Sequence, residues 1–156
     1  MSFFKKINIL IFIPIFLISC GYTPMYKNQK NLNFSISIID SIGDRKINNL
    51  IKTKLKRYTL IEAEKNYKII VNANYDKVVL AKDTTGSVTD YRLSINVTFD
   101  VKSDNFNKQL KYQENFNMKK LGDKLEELDY EKSIQNNLIS LITQKFVEQL
   151  ALIKWL

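Results

Sequence analysis

Histidine is absent from the 156 residues, and Cys20 is the single cysteine. Without histidine the chain cannot build Ser-His-Asp or Cys-His nucleophile arrangements, and it lacks the commonest zinc ligand. One cysteine excludes an intramolecular disulfide, so hydrophobic burial must hold the fold together. Only four glycines are present. They form neither a P-loop nor a Gly-x-Gly-x-x-Gly phosphate loop. Carboxylate pairs such as Asp83 with Asp90, or Glu126 with Glu127, fall on expected turns and helix surfaces. There they read as solvated charges rather than as an acid–base pair. These absences argue against an enzyme, and neither a cofactor nor a metal site is expected.

What is present begins with Lys5 and Lys6, then an apolar run from Ile7 to Phe16, then Leu17-Ile18-Ser19-Cys20. Charged, apolar and small residues in that order are the layout of a secretory signal peptide. A membrane-spanning helix is the competing reading. It needs about 20 apolar residues, and Asn8 and Pro14 already interrupt the stretch from Ile7 to Ile18. Leu17-Ile18-Ser19-Cys20 resembles the lipobox of bacterial lipoproteins. In that class a diacylglyceryl group is joined to the cysteine sulfur, the chain is cut just before it, and the new amine is acylated, palmitate being a typical chain. A thiolate is the nucleophile such chemistry requires. The resemblance implies lipid attachment at Cys20, removal of residues 1–19 and a membrane anchor outside the cytoplasm. An ordinary cleaved signal peptide with an unmodified Cys20 remains the plainer reading. Gly21, not aspartate, follows the cysteine. Outer-membrane sorting, with the domain on the periplasmic side, is therefore expected.

Hydrophobic residues make up 45% of the chain and charged residues 26%, a globular balance. Residues 20–32 read as a lipidated start and tether, and residues 33–156 as one α+β domain. The formal net charge is +8. In a cytoplasmic protein that would suggest nucleic acid. Export redirects it to lipid headgroups, lipopolysaccharide or acidic protein faces, and no nucleic acid is expected. A compositional bias is equally compatible, since lysine, isoleucine and asparagine are abundant throughout.

Alternation from Asn33 to Ile39 predicts a first strand, with a turn at Ser41-Ile42-Gly43. Asp44 is placed to cap a helix, along which Ile47, Leu50, Ile51, Leu55 and Tyr58 recur at helical spacing. Its other face carries Lys52, Lys54, Lys56 and Arg57, candidates for contact with phosphates if they are more than a solvated face. Residues 67–81 predict a long second strand. The clearest alternation follows: Tyr91, Leu93, Ile95, Val97, Phe99 and Val101 against Arg92, Ser94, Asn96, Thr98 and Asp100. Arg92 is the candidate cation on that strand. Leu110, Tyr112, Phe116 and Met118 mark a further strand, and from about Asp129 the period becomes helical, with Tyr130, Ile134, Leu138, Leu141, Ile142, Phe146, Leu150 and Ile153 on a broad apolar arc that Lys145 and Gln149 interrupt. The expected fold is a sheet of about four mainly antiparallel strands, with two helices on its apolar face, in the order β-α-β-β-β-α.

Cys20-Gly21-Tyr22-Thr23-Pro24-Met25-Tyr26 resembles the mature start of the LptE family of lipopolysaccharide-assembly lipoproteins, Met25 replacing their usual leucine. The alternating strand through Asp90-Tyr91-Arg92-Leu93-Ser94 and the helix after Leu128-Asp129-Tyr130-Glu131 fit the same family at the level of pattern. The resemblance implies an outer-membrane lipoprotein of lipopolysaccharide transport. It would plug an LptD-type lipopolysaccharide-translocating β-barrel, assist its assembly and bind lipopolysaccharide. The alternative is a periplasm-facing lipoprotein serving another outer-membrane assembly or lipid-transport complex. A glycan-binding lipoprotein is a weaker third reading, because most aromatics fall on apolar faces. The mature protein should begin at an acylated Cys20, a start that intact-mass measurement will show. An unmodified N-terminus elsewhere would refute it, and Cys20→Ala should leave the domain folded but untethered.

Overall fold

The computed structural model describes residues 34–61, 63–103 and 106–153, all within the compact unit Leu32–Leu156. Cys20, the expected signal peptide and the tether lie outside the described residues. The elements run β1 (Phe34–Gly43), α1 (Arg45–Thr59), β2 (Lys65–Lys82), β3 (Val88–Ser103), β4 (Phe106–Lys119) and α2 (Lys124–Leu152). The four strands form one sheet in the order β1-β2-β3-β4. This is the α+β arrangement expected, with β2, β3 and β4 as an antiparallel meander.

Period-two side-chain placement explains the core. Tyr67, Ile69, Val71 and Ala73 of β2 align with Leu93, Ile95, Val97, Phe99 and Val101 of β3 on one face, all buried. Ile47, Ile51, Leu55 and Tyr58 of α1 and Ile139, Ile142, Phe146 and Leu150 of α2 close over that face in a single cluster. Phe146 stacks on Phe99 with ring centroids 3.9 Å apart, and Tyr112 meets Phe99 edge-on at 5.9 Å. These contacts seat α2 over β3 and β4, and aromatic pairs of this kind add about 0.5–1.5 kcal/mol beyond area burial.

Within this mainly antiparallel sheet β1 pairs with β2 in parallel, with α1 as the crossover. Two local readings are corrected. First, Ser41-Ile42-Gly43 is not a turn but the end of β1. A register shift between Ile38 and Asp40 lets these residues pair with Val71, Asn72 and Ala73. Gly43, at φ +90°, ends the strand. Asp44 then donates its N–H to the Ala73 carbonyl at 2.7 Å, and its carboxylate accepts from Ile47 N. Second, α2 begins at Lys124, about five residues before the expected start near Asp129, because Asp123 caps the N–H groups of Leu125 and Glu126. Glu126 and Glu127 in its first turn suit the positive end of the helix dipole.

Gly43 and Gly86 share positive φ but differ in surroundings. A Cβ on Gly43 would clash with the Ala73 carbonyl, while one on Gly86, at φ +85°, would meet nothing within 4 Å. Gly86→Ala should cost about 1 kcal/mol, the left-handed backbone alone. Gly43→Ala should cost more, about 2 kcal/mol or above, because a clash is added to the strain. Urea denaturation of both variants checks the order, and equal losses would refute it.

Candidate functional site

The helices cover one side of the sheet, and the other side is bare among the described residues. Strand register turns that side into cross-strand rows. Asn74, Asn96 and Gln113 form one row, Asn72, Thr98 and Lys111 the next, and Asp76, Ser94 and Asn115 a third. The side chains are mostly short amides and hydroxyls, groups that both donate and accept. Two hydrogen bonds tie members of this face to one another: Arg92 Nε to Asn117 Oδ1 at 3.3 Å, and Gln109 Nε2 to Asp100 Oδ1 at 2.8 Å. The sequence pattern identified these positions as polar. Only the register shows that they align in rows.

At the end of the β2–β3 hairpin the sheet outruns α1. β2 has 18 residues and α1 has 15, but a strand rises about 3.3 Å per residue and a helix 1.5 Å. Val78, Val79 and Leu80 there are exposed at 50%, 50% and 41%. Val78 lies across from Arg92, so the open face combines apolar and cationic groups at this end. The hairpin turn is closed by Asp83, whose carboxylate accepts from the Thr85 hydroxyl and from the Thr85 and Ser87 N–H groups. These bonds, that of Thr85 foremost, hold its carboxyl below the usual range.

An ionic lock joins the hairpin to α2. Lys77 Nζ lies 3.1 Å from Glu127 and 2.9 Å from Glu131, over the ring of Tyr91. Tyr75 donates its hydroxyl to Glu131 at 2.6 Å. Burial opposes the charge on Glu131, but the bonds from Lys77 and Tyr75 prevail and lower its pKa. Lys77 is likewise opposed by burial, yet its two carboxylate partners raise it. Burial, then the Glu131 bond, pushes Tyr75 upward. Lys145 and Gln149 interrupt the apolar arc of α2 for a comparable reason. They reach Glu114 and the Tyr112 hydroxyl on β4. Sequence reasoning missed the lock because its partners lie 50 or more residues apart.

The candidate cations occupy two separate surfaces. Lys52, Lys54, Lys56 and Arg57 lie on the exposed side of α1, with Arg57 over the ring of Tyr58. Arg92 lies on the open sheet face, beyond the sheet from α1. No single ligand headgroup is placed to touch both. Among the described residues no cluster of histidine, cysteine, aspartate and glutamate is arranged to hold a metal ion, and no helix is long and apolar enough to cross a membrane.

Glu131, lowered in the fold, stabilises it above the ordinary glutamate range and loses that contribution as pH falls through its folded value. Lys77, raised, contributes below the ordinary lysine range and loses it as pH climbs past its folded value. The lock is therefore complete between about pH 5 and 10. Glu131→Gln should lower stability by about 1 kcal/mol at pH 7, and the gap should shrink below about pH 4. Urea midpoints across pH check this, and a gap unchanged in acid would refute it.

No family model matches the sequence, and no match is found among curated proteins. Solved structures do share the fold. Rare lipoprotein B from Shewanella oneidensis superposes with a TM-score of 0.59 at 14% identity, over 76% of this chain and 92% of that one. The solution structure of an uncharacterized lipoprotein B from Nitrosomonas europaea gives 0.54 at 15% identity, over 76% and 83%. A minor lipoprotein from Acinetobacter baumannii gives 0.50 at 16%, over 76% and 91%. At these identities the likeness is one of fold, and the chain has the fold of these bacterial lipoproteins.

Proposed function

We propose that this chain is a lipid-anchored outer-membrane lipoprotein of lipopolysaccharide assembly. It seats its open sheet face in the lumen of an LptD-type β-barrel, assists the barrel's assembly and contacts lipopolysaccharide through its basic residues. The observation that carries this reading is the bare, amide-rich sheet face opposite a layer of two helices. A barrel lumen is polar and wet. A guest within it needs short groups that can bond to many partners, and the rows through Asn74, Asn96 and Gln113 supply them. The resemblance at Cys20–Tyr26 and the lipoprotein fold support the anchor and the setting. Lysine and arginine pair with phosphate through charge-assisted bonds, so the face of α1 and Arg92 are two independent candidates for glycolipid contact.

Tagged protein from gently solubilised envelopes should bring down a β-barrel in equal amount, through an interface of the order of 2,000 Å² or more. Replacing Asn74, Asn96 and Gln113 together by glutamate should abolish that complex while leaving the circular dichroism unchanged. Charge reversal on α1 or at Arg92 should weaken glycolipid binding by titration. A barrel that folds and exports normally after depletion of this protein would favour a lipoprotein of another envelope complex.

A further inference from the structure

α1 carries a charge pattern that its own stability does not explain. Its cations are Arg45, Lys46, Lys52, Lys54, Lys56 and Arg57, all exposed, and it has no acid. A compositional excess of lysine would fall on both helices, yet α2 carries Glu126, Glu127, Asp129, Glu131 and Glu148 against three lysines. Arg45 and Lys46 stand in the first turn of α1, where the helix dipole favours acids. Lys52 and Lys56 are like charges one turn apart, a destabilising pair. Lys46 lies near enough to Glu131 to help lower its pKa. No salt bridge holds any of the other five among the described residues.

We propose that α1 docks on the anionic phospholipid headgroups of the membrane that holds the anchor, with the open sheet face turned away from the bilayer. The docking rests on the lipid anchor of the proposed function. It assigns the α1 cations to phospholipid and leaves glycolipid contact to Arg92. Charge names the occupant, and the chain beyond the described residues brings it within reach. Only 13 residues separate Cys20 from Phe34, a span of at most about 50 Å. α1 runs back from Gly43 toward Lys65, which pairs with Phe34, so Lys56 and Arg57 lie at the end of the domain where that chain enters. Each cation near an anionic surface strengthens association about fivefold. α1 and the amide rows lie on opposite sides of the sheet. A domain resting on α1 therefore presents Asn74, Asn96 and Gln113 to water, free for one barrel. Seating in the lumen lifts the domain off the surface, so the contact must be weak and sensitive to salt.

The test uses the mature acylated protein in phosphatidylcholine vesicles with and without phosphatidylglycerol, and no barrel. With the Cys20 sulfur acylated, an added cysteine is the only free thiol. A fluorescent label is placed on Thr53→Cys, amid the α1 cations, or on Asn96→Cys, on the open face. In phosphatidylglycerol vesicles, nitroxide on the lipid headgroups should quench the label at position 53 about fivefold more than that at position 96, the gain that even one cation supplies. About 0.5 M salt, or Lys52→Glu together with Lys56→Glu, should bring the two labels level. Equal quenching at both positions in the anionic vesicles, or quenching at position 53 that needs added lipopolysaccharide, would overturn the docking and leave the anchor standing. A wild-type chain that takes the label at Cys20 itself would strike the anchor, and the docking with it.

Discussion

Everything in this fold depends on the one-sidedness of β3. It is paired along both edges, and Leu93, Ile95, Val97, Phe99 and Val101 are all at most 1% exposed on one face. Side chains alternate with a period of two, so a slip of one residue would move all five into water. At about 1.5–3 kcal/mol per buried apolar side chain, such a slip would cost about as much as the whole stability of an ordinary domain. β2 and β4 must follow this register. The helices must follow the face it creates.

The two helices serve that face differently. α1 is short and amphipathic, and it fills the space over β1 and β2. α2 is nearly twice as long, at 29 residues. It is held by the Phe99–Phe146 stack near one end and by the Lys77 lock near the other. One anchor is apolar and insensitive to pH, while the other is ionic. Removing the ionic one leaves the aromatic stack in place, so its loss loosens the helix start and the hairpin without dismantling the core.

The meander and both helices were legible because their apolar periods are long and clean. The parallel direction of β1 was not, since alternation says which face a residue takes and nothing about strand direction. Ser41-Ile42-Gly43 looked like a turn because its composition is that of one, and only pairing to Val71–Ala73 reveals the strand. Leu141 and Tyr130 fitted the apolar arc of α2 but are over 40% exposed, as the helix outgrows the surface it covers. The open face was legible residue by residue. The separation of Arg92 from the α1 lysines follows from the same pattern, which puts Arg92 on the polar side of β3 and both helices on the apolar face.

The parallel pairing of β1 with β2 also sets a scale of length. The described chain enters at Phe34, across from Lys65, while the hairpin turn begins at Asp83, beyond the far end of β2. Hydrogen-bonded strands do not shorten, so the turn stands about 60 Å from the point of entry, at about 3.3 Å per residue of β2. That stand-off can change only in quanta. Removing one residue from each strand would exchange the core and open faces beyond the cut. Two from each would preserve both faces and shorten the reach by about 7 Å. The molecule is in this respect a ruler graduated in residue pairs.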